Sequence, residues 1–419
     1  KTIFASTVRA IKESGMAKLT ENNDAKIYFL TFGSIPGPYT TYNEILSIKP
    51  GYFLEIRRDG QIEEKKYYDS FTPFLKKIND SRETAVKKIK EILRESVKLH
   101  LISDAPLGVF LSGGLDSSTL AALSAKALRE GGIDKKITTL SIIFDEPEFS
   151  EQKYQQIVVD KIKSEHREIK ITQSDFEKSF NEIFETMDQP TIDGVNTYFV
   201  SKAAKEDGLK AVLSGLGSDE IFMGYYYSRI VKYVRLAQKL TPNLIFNLLP
   251  ERGKWGKLQW LKEKHPFYSY IALRGILSSK EISEILKISE NEVWAVVKKI
   301  VNILPEEKEL KKLSAPDLQS YFDLNFYMAN QLLKDTDFMS MEHSIEIRVP
   351  FLDHILVEYL SGLPDKLKLS GEYPKQLLID AVSDILPDSV WKRPKMGFTF
   401  PFQNWLNVNG HWARFWAKE

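Results

Sequence analysis

The chain has 419 residues with 58 basic and 57 acidic side chains, so it can form two or three domains and carries no overall charge bias toward nucleic acid or a membrane surface. It contains no cysteine, which excludes disulfides, thiolate metal sites and a cysteine nucleophile. No apolar run reaches bilayer-spanning length, and the start Lys1-Thr2-Ile3-Phe4 lacks the layout of a signal peptide, so the expectation is a cytoplasmic protein.

The first expected unit, residues 1–75, reads as β-rich. Lys26 to Phe32 and Gly51 to Ile56 are extended patterns, and Arg58-Asp59-Gly60 turns the second into Gln61-Ile62 as a hairpin. Residues 81–98, with Ala85, Val86, Ile89, Ile92, Leu93 and Val97, carry a helical stripe. Strand patterns at 107–111, 138–144, 167–171 and 210–213 then alternate with helical ones. The second unit, residues 76–419, is therefore expected as an α/β domain on a doubly wound parallel sheet, with ligands beyond the carboxyl ends of its strands. Helical patterns dominate from 226 onward, and Glu306 to Lys312 reads as a solvated face.

The run Phe110-Leu111-Ser112-Gly113-Gly114-Leu115-Asp116-Ser117-Ser118 passes from a buried strand through a Gly-Gly turn into a hydroxyl-rich helix start. Glycines let the backbone approach an anion, and free N–H groups with the positive end of the helix dipole favour negative charge there. Leu111 to Ser118 thus form a phosphate cradle in which Asp116 can hold the magnesium that accompanies a nucleotide. No GxxxxGK[ST] run occurs, so this is not the common P-loop. At the second strand end, Ser141 and Ile142 could frame an adenine with their backbone, although plain sheet core explains the isoleucine better. A third strand end carries Ser214-Gly215-Leu216-Gly217-Ser218-Asp219-Glu220, where Asp219 offers a second metal or pyrophosphate contact beside an ordinary helix-cap role.

The SGGLDSS run resembles the loop of the ATP pyrophosphatases, which cleave ATP between the α- and β-phosphates. With four further blocks the chain resembles the asparagine synthetase family, which also includes β-lactam synthetases and lasso-peptide cyclases. Those blocks are Asp188-Gln189-Pro190 before Thr197-Tyr198, Ser214 to Tyr225, Asp337 to Asp353, and the lysine segments Lys375-Gln376-Leu377-Leu378 and Arg393-Pro394-Lys395-Met396-Gly397-Phe398. The resemblance implies ATP and Mg²⁺ as cofactors, with Asp116 and Asp219 on the metal. Lys395 would face the reacting phosphorus, with Lys375 as the second basic candidate. Negative charge building at that phosphorus needs such cations in any case. It further implies a small-molecule carboxylate, aspartate by default, and an ammonia or amine donor, and it leaves open a homodimer or a separate glutaminase partner. Asp335, Asp337 and Tyr225 are candidates for the substrate side, although packing or capping explains the aspartates equally well. Glu346 and Arg348 are expected to pair and brace the Pro350-Phe351 turn, and His343 is expected to be structural.

Two departures from the family pattern stand out. Phe4 to Ile11, Pro36-Gly37-Pro38 and Ile48 to Tyr52 resemble inner and terminal parts of a glutaminase domain of the N-terminal-nucleophile type. Residues 1–75 thus read as a partial glutaminase-like region, a remnant or a clipped copy, without the nucleophilic cysteine. Leu216 stands where asparagine synthetases carry Glu or Asp and β-lactam synthetases carry a tyrosine. A leucine cannot take a proton from an attacking amine. The chemistry then needs an amine that arrives neutral, or a base from Asp335, Asp337 or Glu342. An amidotransferase or cyclase acting on another carboxylate, and a nucleotide-binding homologue without catalysis, are the rival readings.

Overall fold

The apolar run 26–32, expected as a strand, is a helix in the computed structural model: α1 spans Asp24–Phe32. The structure describes residues 2–132, 135–394, 396–397 and 399–407. Ile27, Tyr28, Phe29 and Thr31 favour strands by propensity. Ala25, Ile27, Tyr28 and Thr31 nevertheless recur at helical spacing and are all buried, and burial of an amphipathic face outweighs a preference worth a fraction of a kcal/mol per residue. Gly33, at φ 78°, ends the helix by donating its N–H to the Phe29 carbonyl.

Among the described residues up to 75, strand structure is confined to the expected hairpin, β1 (Tyr52–Ile56) with β2 (Ile62–Lys66), and one bridge between Glu21 and Tyr42. The region is therefore less β-rich than expected. Helices also occupy Val8–Glu13 and Thr72–Leu75. Tyr28, Phe71 and Phe74 share one core with Phe267, Ile271, Tyr321 and Phe322, so packing is continuous across residue 75.

The helix expected at 81–98 is α2 (Arg82–His100), started by Ser81, whose hydroxyl accepts from the Thr84 N–H. Ala85, Ile89, Leu93 and Val97 on its stripe are fully buried against the sheet and its neighbours. Then follow β3 (Leu107–Phe110), α3 (Leu115–Glu130), β4 (Thr138–Ile143), α4 (Gln152–Ile162), β5 (Glu165–Lys170), α5 (Gly194–Glu206) and β6 (Ala211–Leu213). These are the four expected strands. A fifth, β7 (Glu346–Arg348), completes a parallel sheet of order β5-β4-β3-β6-β7.

The fifth strand was not visible in the sequence because three residues carry no alternation. Glu346 and Arg348 do pair, Nε to Oε1 at 2.9 Å. The same guanidinium donates to the carbonyls of His100 and Ile102 at 2.6 and 2.7 Å, which ties β7 to the end of α2.

The chain leaves β3 toward β4 and β5 and returns to β6 on the other side of β3. The direction of winding therefore reverses between β3 and β6, and a crevice opens beyond their carboxyl ends. Further along the chain lie α6 (Tyr227–Leu240), α7 (Pro266–Arg274), α8 (Leu333–Glu342) and α9 (Gln376–Val382), of which α8 and α9 reach the crevice through Thr336 and Ile379. A ten-residue π-helix, Asp323–Leu332, runs directly into α8.

Candidate active site

A cavity of about 440 Å³ fills that crevice. The β3 end supplies Leu111, Ser112, Gly114, Leu115, Asp116 and Ser117, the β4 end Ser141 and Ile142, and the β6 end Ser214, Gly215, Leu216 and Asp219. Three separate strand ends expected to carry the nucleotide are thus brought together. Of the cradle residues, Gly113 and Ser118 do not line the cavity. Gly113 is at φ 79°, and a Cβ there would sit 3.0 Å from the Gln155 nitrogen of α4, so glycine is what lets α4 pack this close. Ser118 is fully buried behind the loop.

The cradle is held in shape by its own hydroxyls. Ser112 and Ser117 are 3.0 Å apart through their Oγ atoms, and the Ser112 N–H donates to Ser117 Oγ at 3.1 Å. Arg393 clamps it from outside, donating to the Gly113 carbonyl at 3.0 Å and to Glu151 at 2.6 Å while its guanidinium lies 4.0 Å over the Tyr154 ring. Both members of that ion pair are more than nine-tenths buried. Burial raises the Glu151 carboxyl, and Arg393 holds it back.

Asp116 opens α3, and Asp219 opens the short helix Ser218–Ile221. Lys375 bridges them: its Nζ lies 2.7 and 2.6 Å from the two Asp116 oxygens and 2.9 Å from Asp219 Oδ1. Ser218 donates a further bond to Asp116 at 2.7 Å. Burial alone would lower the Lys375 ammonium, but the two carboxylates outweigh it and raise it. Lys375 itself sits in the left-handed region at φ 57°. Close approach is enforced by Gly224, where a Cβ would fall 2.1 Å from Asp219 Oδ1 and 2.9 Å from Lys375 Cδ.

Two carboxylates within contact distance of one ammonium converge on a single point. Carboxylates so placed could share a divalent cation with phosphate oxygens. Among the described residues no cluster of three or more His, Cys, Asp or Glu could hold a metal unaided, so further ligands would come from the nucleotide. Lys395 lies outside the described residues; its neighbours Pro394 and Met396 line the cavity.

Leu216 and Tyr225 both line the cavity, whereas Asp335 and Asp337 do not. Asp337 is exposed. Asp335 is buried on α8, accepts from the Thr191 hydroxyl at 2.5 Å, and is pushed up to about 8 by burial. Glu342, also on α8, is likewise exposed and not part of the lining. The polar groups that meet Tyr225 are others. Its hydroxyl donates to Glu220 at 2.7 Å, and burial together with the Asp219 charge pushes Glu220 up to about 7. Arg274, from the end of α7, lies 3.5 Å over the Tyr327 ring and 5.0 Å over that of Tyr225. Asp193 at the start of α5 lines the same region, raised by burial and held back by Arg274.

Asp193, Arg274 and Tyr327 escaped the sequence reading because they lie in no motif. Arg274 closes the otherwise apolar run 266–272, and a lone cation there is a usable signal of a buried partner. His343 is buried against Tyr198 at 4.5 Å between ring centroids, a packing role as expected.

Residues 88–417 match the protein-family model described as asparagine synthase. The chain is 29% identical over 404 residues to glutamine-hydrolyzing asparagine synthetase 1 of Bacillus subtilis (strain 168), covering 94% of this chain and 61% of that protein. It is 28% identical over 392 residues to a putative asparagine synthetase of Mycobacterium tuberculosis, covering 89% and 57%. An amidase of Gibberella zeae is 23% identical over 405 residues, covering 87% and 60%. The chain thus spans about three-fifths of the length of these curated relatives.

Proposed function

The chain belongs to the asparagine synthase family, and on that premise we propose that it is an ATP-dependent amide-forming ligase. A substrate carboxylate oxygen attacks the α-phosphorus of ATP, the bond to the β-phosphate breaks, and pyrophosphate leaves. The lone pair of ammonia or an amine then attacks the activated acyl carbon, AMP departs with the C–O bonding pair, and the amine proton passes to a base or to water. The observation that carries this reading is the convergence of Asp116, Asp219 and Lys375 on the Ser112–Ser117 cradle at the reversal of the sheet.

Asp116 and Asp219 would hold Mg²⁺, which would neutralise charge on the triphosphate. Lys375 supplies positive charge at the same place, and Ser112, Ser117 and the amide N–H groups at the start of α3 would bind phosphate oxygens. Ser141 and Ile142 at the β4 end would frame the base. Arg393, which lines the cavity as well, would hold the loop in position through Gly113 and Glu151. Lys395, by its place in the family block, would approach the α-phosphate. A cytoplasmic setting, where ATP is available, suits this reaction.

Leu216 favours a second reading of the acceptor. It faces the cavity where the family resemblance expects a carboxylate, and this supports an amine other than ammonia, or a carboxylate other than aspartate. The test is to incubate the purified protein with MgATP, ammonium and a panel of carboxylates and to measure AMP and pyrophosphate. Release with aspartate supports an asparagine-forming enzyme, and release only with another acid supports the amidotransferase or cyclase reading. Silence across the panel, with nucleotide binding unchanged in Asp116→Ala, would overturn the ligase.

A further inference from the structure

The chain-wide charge balance conceals one strongly basic stretch. Between Tyr226 and Lys264 there are nine Lys and Arg against two Asp and Glu, in a molecule whose net charge is +1. The same stretch carries its own exposed apolar surface. Tyr226, Tyr233, Leu240, Leu244, Leu248 and Trp255 are between 61% and 79% exposed. Tyr226, Ile230, Tyr233 and Leu240 follow one another at three-, four- and seven-residue spacing, which sets them along one side of α6. The opposite side of α6 buries Tyr227, Ser228, Val231 and Gln238 in the protein.

The charges beside this stripe are not consumed internally. Arg229, Lys232, Lys239 and Lys254 are exposed, and none forms a salt bridge with a described carboxylate; among the basic residues of the stretch, Arg252 pairs with Glu284. The Lys232 ammonium lies 4.9 Å from the Tyr233 ring centroid, so a cation stands directly beside the exposed aromatic stripe. Tyr and Trp rings beside aliphatic side chains, bordered by free ammonium and guanidinium groups, match the layered polarity of a bilayer's edge: hydrocarbon, then amphipathic rings, then anionic headgroups.

We infer that the surface built by α6 and the segment 243–255 docks the protein on an anionic lipid bilayer. Leu240, Leu244 and Leu248 enter the headgroup–acyl boundary, while Arg229, Lys232 and Lys239 face lipid phosphates. The protein lies on the bilayer without crossing it, since among the described residues no helix is long and apolar enough to span one. Lipid binding of this kind needs two weak signals, partial insertion and charge, and the stretch supplies both.

The test is co-sedimentation of the purified protein with vesicles of pure phosphatidylcholine and of phosphatidylcholine containing one-third phosphatidylglycerol. Binding is expected to the anionic vesicles alone, and to weaken severalfold when salt is raised to shorten the Debye length. Leu244→Ser/Leu248→Ser and Lys232→Glu/Lys239→Glu should each lower the partition coefficient by about tenfold or more, with unchanged far-ultraviolet circular dichroism. Failure to bind anionic vesicles overturns the proposal, as does binding that neither pair of substitutions reduces. A dimer seen by light scattering that Leu244→Ser/Leu248→Ser converts to monomer also overturns it, by assigning the face to a second copy of this chain. All readouts are independent of catalysis.

Discussion

Replacing Lys375 by methionine tests the electrostatic design of the site directly. The Lys375 ammonium is within 2.9 Å of both Asp116 and Asp219, and its side chain is only 6% exposed. Methionine keeps most of the volume and removes the charge, so two carboxylates drawn toward one point are left facing each other without a counterion. Deleting one partner of a buried pair costs about 3–5 kcal/mol. These carboxylates are about one-fifth exposed, which screens them and places the expected loss at the lower end, near 3 kcal/mol. Urea denaturation of wild type and variant, each with and without Mg²⁺, gives the measurement. Without Mg²⁺ the variant should be less stable by that amount. With Mg²⁺ in large excess the difference should shrink, because the cation binds the folded variant where the ammonium stood. A variant as stable as wild type without Mg²⁺, or one that millimolar Mg²⁺ leaves unchanged, would refute the argument that the two aspartates share one cation position.

Other consequences follow from the same geometry. Gly224→Ala places a methyl group where Asp219 Oδ1 now lies, so pyrophosphate release should fall about a hundredfold while the fold is retained; activity within threefold of wild type would contradict the packing. Arg393→Lys cannot serve Gly113 and Glu151 together or stack on Tyr154, and should raise the KM for ATP by about tenfold with a smaller change in kcat. Leu216→Glu should shift acceptor use toward ammonia, read as the ratio of amide products, and no shift would mean another residue governs the acceptor. Asp335 is raised to about 8 by burial, so the folded state keeps a proton that the unfolded state has lost. Its contribution to stability is therefore fully present below the ordinary carboxylate value and is lost as pH rises to about 8. Asp335→Asn should match wild type near pH 4 and exceed it by several kcal/mol, up to about 6, near pH 9 in thermal or urea melts; equal curves at both values would remove Asp335 as a buried acid.

The nucleotide side was legible in the sequence because its requirements are local. Gly113-Gly114 after an apolar strand, with Asp116 in the first helical turn, is a self-contained pattern, as is Gly215-Leu216-Gly217 before Asp219. The substrate side was less legible. Tyr327 sits on a π-helix, whose wider turn alters which residues point inward and defeats a count based on 3.6. Arg274 and Asp193 meet only through tertiary packing, and Asp335, for which a substrate role and a packing role were equally open, is buried and bonded to Thr191. In the N-terminal region, Ile27 to Thr31 were assigned by strand propensity, yet a neighbouring helical layer chose the helix. Chain-wide charge is equally uninformative about local surfaces: a sum carries no information about where Lys232 and Lys239 stand.

The bond from Lys375 to Asp116 spans 259 residues of chain, and that from Ser218 to Asp116 spans 102. No fragment that stops before α9 can assemble all three members of this triad, and none can do so before β6 has docked beside β3. Closing loops of such length costs entropy that only the finished core repays. The site therefore exists only once the chain from β3 to Lys375 is in place, and nucleotide-dependent protection from proteolysis would report docking across that whole span, not of any one segment.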